Sequence, residues 1–228
     1  MNNVYFFLLF AAALCVSSCV KSEYSYPPHS AAPAPPAPEE AVSYVNETFD
    51  NIAKVDGQVL PPPAGWTSFA LAGVRTFQTG VLARKGGGVM RGAMGSAYLS
   101  TDTVNDFWLM MPPLDVSDST ATLSFQAGLT YSSASTQLSL MYSAAYRGGA
   151  EAINLSEWTE LPVAAAPTSS GPVEMTAQAP ISFWGKGGER NVVYAAFRYR
   201  SVVSLESIAA DDADRANYYL DNVVFRKK

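Results

Sequence analysis

Ala121–Leu129 reads "ATLSFQAGL". Leu123, Phe125, Ala127 and Leu129 occupy every second position, with Ser124 and Gln126 between them. A strand sends successive side chains to opposite faces, whereas a helix repeats every 3.6 residues. The stretch is therefore a strand with one buried face. Two more segments follow the same rule. "TQLSLMYS" aligns Leu138, Leu140 and Tyr142, and "NVVYAAFRYR" continues the pattern from Val192 to Tyr199. No window longer than about a dozen residues holds a helical period. Leu205 to Ala216 has room for one helical turn. Gly, Pro, Ser and Asp separate the short apolar runs, as turns require. The expectation is all-β: an antiparallel β-sandwich or barrel.

The chain has 228 residues, a formal net charge of −5, 48% hydrophobic and 15% charged residues. This suits one globular domain behind a targeting segment. A mildly acidic surface repels phosphate backbones, so nucleic acid is not an expected partner. The N-terminus opens with an uncharged apolar run, Val4 to Val16, too short to span a bilayer and suited to a signal-peptide core. It ends in Val16-Ser17-Ser18-Cys19, which resembles a bacterial lipobox. That resemblance implies cleavage before Cys19, diacylation of Cys19 and anchoring to an outer membrane; the alternative is an ordinary signal peptide with an incidental cysteine. Cys15 and Cys19 are the two cysteines of the chain, so the exported domain would hold no disulfide. Tyr26 to Glu40, "YPPHSAAPAPPAPEE", reads as an extended Pro/Ala spacer. The expected division is signal 1–18, lipidated Cys and linker 19–40, and a sandwich domain 41–228.

Several segments carry a family resemblance in their order. They are "NETFDN", "PPPAGWT", "NDFWLMMPPLDVS", "LSLMYSAAYRGG", "WTELP", "FWGKGGERNVVYAAFRYR" and "YYLDNVVF". Together they resemble the jelly-roll modules of Bacteroidetes surface proteins known as choice-of-anchor J domains, akin to galactose-binding-like and carbohydrate-binding sandwiches. Phe77 stands where that family often has Trp, and "NDFWLMMP" has an extra aromatic. The resemblance implies a jelly roll whose first and last strands pair. It also implies a structural Ca²⁺ held by Glu47 and Asp221, with Asp50 and Asn51 as helpers; oxygen-only donors suit that ion. The other reading of Asp221 and Asn222, two poor strand formers inside "YYLDNVVF", is a strand edge or bulge facing water. "DDAD" at Asp211 to Asp214 reads as a solvated loop.

Catalytic chemistry finds little support. The single histidine, His29, lies in the linker, which removes a Ser-His-Asp triad and His-based zinc from the domain. "RKGGGVMRG" from Arg84 lacks a phosphate-loop ending and reads as a hairpin tip. Glu151, Glu157, Glu160 and Glu174 sit in loop-like stretches with no spacing that pairs two carboxylates for glycoside hydrolysis. Aromatics can stack on sugar rings. Trp66 and Trp108 read as core, Trp158 and Trp184 as flanking loops, and Tyr131, Tyr146 and Trp158 are the candidate sugar contacts. The expected function is a non-enzymatic carbohydrate-binding module of an outer-membrane lipoprotein, with glycan or surface protein as partner. The alternatives are a structural or adhesive protein-interaction module, then a small glycan-active hydrolase.

Overall fold

The computed structural model describes residues 40–52, 56–131, 133–168, 172–206 and 216–228. The described residues belong to one compact unit; residues 1–39 lie outside the described residues. Cys15, Cys19, His29 and Asp211 to Asp214 also lie outside them.

Two sheets make a β-sandwich. The first contains β1 (Tyr44–Glu47), β3 (Gln78–Ala83), β4 (Val89–Gly95), β7 (Thr122–Thr130) and β14 (Asn217–Arg226), with β10 (Pro167–Thr168), β11 (Thr176–Ala177) and β12 (Ile181–Ser182) along the outer edge of β7. The second runs β2 (Thr67–Ala72), β5 (Val104–Met110), β13 (Val192–Val202), β8 (Thr136–Ser143) and β9 (Thr159–Pro162), with β6 (Leu114–Asp115) beside β13. Pairing is antiparallel except for the short β10. The strands read from alternation, β7, β8 and β13, are all present.

The inner faces meet in one core. Leu123, Phe125 and Ala127 of β7 face Phe197 and Leu140 of the second sheet. Phe125 meets Phe197 edge-on at 4.9 Å, and Phe107 stacks on Tyr199 at 4.6 Å. Such aromatic pairs add about 0.5–1.5 kcal/mol each beyond burial. Trp66 is 6% exposed and packs edge-on against Phe49, as a core residue should.

Strand β14 lies between β7 on one side and β4 followed by β1 on the other. First and last strands therefore pair, Glu47 opposite Val223. Register with β7 slips between Asp221 and Val224, and Asn222 takes a left-handed φ of 51°. This is a β-bulge. Tyr218 and Leu220 point inward before it, Val223 and Phe225 after it. Without the extra residue, period two would turn Asn222 and Val224 into the core. Asn tolerates this backbone region better than most side chains.

Four connections leave the sheets at one end: β2 to β3, β4 to β5, β7 to β8 and β13 to β14. Tyr199 ties two of them, its hydroxyl accepting from the Ala97 N–H (3.1 Å) and donating to the Ala216 carbonyl (2.9 Å). The chain enters the sandwich at the opposite end, where Val42 bridges Leu114 and the Lys227 N–H bonds the Ser43 carbonyl.

Candidate functional site

Just before the bulge, Asp221 stands opposite Gln126 and points to the outer face of the first sheet. Its carboxylate is buried, 5% exposed, and pairs with Arg84 at 2.7 Å. Its other oxygen accepts the Asn222 N–H at 2.7 Å. Burial pushes the Asp221 carboxyl above the ordinary carboxylate range; the Asn222 N–H and Arg84 pull it down without cancelling that. Arg84 stands where β3 enters its hairpin tip. Gly86, Gly87 and Gly88 form that tip, all at positive φ, a backbone that suits glycine. Val173 bonds across to Ala83 and Lys85, so the segment 173–175 crosses the sheet face as a strap. It seats on Gly128, where a Cβ would fall 2.7 Å from Val173 and Met175. Beneath it Val173 packs with Met90, Met94 and Tyr219.

Hairpin and strap frame an open depression of about 420 Å³. Arg84, Lys85, Gln126, Glu174 and Met175 line it. Lys85 and Glu174 pair at 2.6 Å, and Gln126 accepts from the Asn222 amide at 3.2 Å. Arg84 Nε is buried and bonds nothing.

The four residues expected around Ca²⁺ do not form an oxygen cage as they stand. Asp221 is committed to Arg84. Glu47 folds back to accept the Phe49 N–H at 2.6 Å. Asp50 and Asn51 are exposed, and the Asp50 carbonyl accepts from Arg91. Ca²⁺ takes six to eight oxygens. Among the described residues no three His, Cys, Asp or Glu side chains gather to hold a metal.

The expected sugar contacts are separated. Tyr131 is 53% exposed at the four-loop end, on a left-handed backbone with φ 61°. Tyr146 and Trp158 are buried, 4% and 8% exposed. They belong to the segment 144–158, which folds back over the outer face of the second sheet. Trp158 meets Trp108 at 5.0 Å and Tyr146 at 5.3 Å, and the Tyr146 hydroxyl donates to the Gly149 carbonyl. Their rings close a second apolar layer with Met110, Met141 and Tyr194. Trp184 is 60% exposed.

Beside that layer lies a buried ion pair. Arg198 grips Asp106 through Nε (2.9 Å) and Nη2 (2.5 Å), and Trp108 Nε1 donates to the same carboxylate at 3.0 Å. The hydrogen bond to Asp106 raises Arg198 above its ordinary value. Glu160 accepts from Ser139 at 2.6 Å nearby. Glu174 and Glu160 stand on outer faces of different sheets, with the core between them.

The alternation already placed Gln126 outward. Arg84 read as the start of a hairpin tip and Glu174 as a loop carboxylate; that they meet was hidden, because the strap that unites them is set by tertiary pairing.

No family model and no curated protein matches the chain. Among solved structures it is similar to the K1 cleaved adhesin domain of Lys-gingipain from Porphyromonas gingivalis W83, with TM-score 0.49 and 16% identity over 82% of this chain and 99% of that one. The K3 cleaved adhesin domain gives 0.46 and 16% over 81% and 98%. The CBM22-2 xylan-binding domain of Paenibacillus barcinonensis Xyn10C gives 0.40 and 13% over 80% and 99%.

Proposed function

We propose that the sandwich is a non-catalytic module that binds glycan in the depression between the β3–β4 hairpin and the strap. One observation carries this reading. The depression of about 420 Å³ presents guanidinium, ammonium, amide and carboxylate groups on a sheet face held by strand pairing. Ligand sites run from about 300 to 1,000 Å³ and fix orientation with a few placed polar groups. Sugar hydroxyls both donate and accept, which matches paired groups of opposite sign better than an apolar or singly charged ligand would. The resemblance to carbohydrate-binding jelly rolls points the same way.

The test is affinity electrophoresis against a panel of soluble polysaccharides, followed by calorimetry on any that retard the protein. Gln126→Ala and Arg84→Ala should each weaken binding by tenfold or more. If no glycan retards the wild type, or both variants bind as well as it does, the reading fails. We further propose that Cys19 carries lipid and holds the module at an outer membrane. Fatty-acid labelling should be lost in Cys19→Ser, and label surviving there would refute the anchor.

A further inference from the structure

Trp184 stands on a fixed turn. The Lys186 N–H bonds the Phe183 carbonyl at 3.0 Å, and Gly185 between them takes a φ of 74°. A type II turn asks for that backbone at its third residue. Phe183 is fully buried and meets Tyr142 edge-on, while Trp184 is 60% exposed. Gly187 seals the base of the loop, where a Cβ would fall 2.5 Å from Val116. The loop from Phe183 to Asn191 is thus seated on the end of β8 and presents the indole to water.

Cations line the same loop. The Lys186 ammonium sits 5.3 Å from the centre of the Tyr142 ring. Arg190 Nη2 donates to the Ala144 carbonyl at 3.0 Å, and Arg147 Nη1 donates to the same oxygen at 3.1 Å. Both also reach the Tyr146 carbonyl, Arg147 at 3.0 Å and Arg190 at 3.5 Å. One guanidinium would serve these two carbonyls. Instead two stand side by side, like charge against like. Each spends one terminal nitrogen there and keeps the rest of its five N–H donors. Among the described residues no carboxylate pairs with Lys186, Arg147 or Arg190. Glu189 shares the loop and bonds none of them. Asp115 is taken by Lys227, and Glu151 lies where 150–152 pack beside β2.

We infer that this loop binds an acidic glycan. Trp184 stacks on one sugar ring, and Arg147 with Arg190 holds a carboxylate or sulfate on that ring or the next. Guanidinium groups grip such oxyanions through charge-assisted, often paired, hydrogen bonds. A bound oxyanion also removes the repulsion between the two arginines. An indole offers the apolar face that the C–H side of a sugar ring needs. A membrane is met by a broader apolar front, whereas Trp184 is the one exposed apolar side chain between Phe183 and Asn191. The loop shares no residue with the depression between hairpin and strap, and its reading does not rest on that one.

The test is affinity electrophoresis of the full chain carrying Cys19→Ser, in gels with polygalacturonate, dextran sulfate, neutral dextran or poly-L-glutamate. The net charge of −5 opposes unspecific attraction to polyanions. Polygalacturonate or dextran sulfate should retard the protein, and the stronger of the two identifies the anion as carboxylate or sulfate. Neutral dextran and polyglutamate should not. Trp184→Ala, and the double variant Arg147→Gln with Arg190→Gln, should each weaken retardation at least tenfold. Both should melt with the parent, since all three side chains are exposed. The inference fails if neither acidic polysaccharide retards the chain, or if neutral dextran or polyglutamate does so as strongly. It fails equally if either variant leaves the retardation intact. Two other results also overturn it. Loss with Arg84→Ala and not with these variants assigns the anion to the depression. Binding to phosphatidylglycerol vesicles that Trp184→Ala abolishes, without retardation by any polysaccharide, assigns the loop to a membrane surface.

Discussion

Removing the Asp106 carboxylate should be the most damaging single polar change in the sandwich. Both members of the pair have side chains 10% exposed, so water cannot replace the lost partner. Asp106→Ala breaks two hydrogen bonds from Arg198 and one from Trp108, and leaves a buried guanidinium without its counter-charge. Breaking one half of a buried pair costs about 3–5 kcal/mol. For a domain of this size each kcal/mol moves the melting temperature roughly 2–4 °C, so the fall should be roughly 6–20 °C. Urea denaturation followed by circular dichroism measures the free energy directly. The double variant Asp106→Leu with Arg198→Met removes both charges and fills the space. It should recover most of the loss, because an apolar replacement of a buried pair is often near neutral. If Asp106→Ala costs less than about 1 kcal/mol, the pair behaves as an exposed one and its burial is not felt. If the double variant is as unstable as the single one, the loss comes from packing and not from an orphaned charge.

Four further outcomes follow from the first sheet. Deleting Asn222 should abolish soluble folded protein, since it rotates Val223 and Phe225 out of the core, whereas Asn222→Gly should stay within about 1 kcal/mol because glycine accepts positive φ; circular dichroism and urea midpoints distinguish the two. Asp221 has a raised carboxyl in the fold, so the native state binds more protons than the unfolded chain between the ordinary and raised values, and its contribution to stability grows as pH falls through that window. The melting temperature of wild type relative to Asp221→Asn should therefore shift in favour of wild type on acidification from neutral towards pH ~4, and a parallel pair of profiles would rule this out. The buried Tyr219 phenol is pushed up from 10.0 to about 12, so the fold should lose stability as pH rises between those values, by roughly 3 kcal/mol at the top. Tyr219→Phe should lack that loss, read by alkaline melting curves. Finally, because Arg84 already neutralises Asp221, the wild-type melting temperature should not change between chelator and millimolar Ca²⁺; a rise of several degrees with Ca²⁺ would show that the ion displaces Arg84.

The sheet interior was legible where one face of a strand meets water or a light cover. In β7, Leu123, Phe125 and Ala127 alternate with Ser124 and Gln126, and pairing follows at once. Strand β5 hides its period because both faces are covered: Phe107 and Leu109 face the core, Trp108 and Met110 the layer under Tyr146 and Trp158. The same cover explains why Trp158 and Tyr146 read as loop aromatics. Their segment has no repeating pattern, and nothing local says that it folds back onto the sheet. Asp221 and Asn222 announced an irregularity in the last strand. That it buries a carboxylate against Arg84, far away in sequence, depends on the register of β14 with β4, which no local pattern contains.

The position of β14 also decides when the domain can fold. It is the last strand to be synthesised and the one that joins β7 to β4 and β1. Until Phe225 is available, the first sheet exists as unconnected parts: the β3–β4 hairpin, β1, and β7 with its short edge strands. Phe125 and Ala93 then have no continuous wall to pack against. No part buries enough to be stable, since isolated hairpins are marginal in water. The nascent polypeptide should thus stay open until synthesis has passed Phe225 and then close in a single late step, dominated by contacts distant in sequence and correspondingly slow. A truncation that stops short of Phe225 should therefore cost the whole sandwich and not only its last strand.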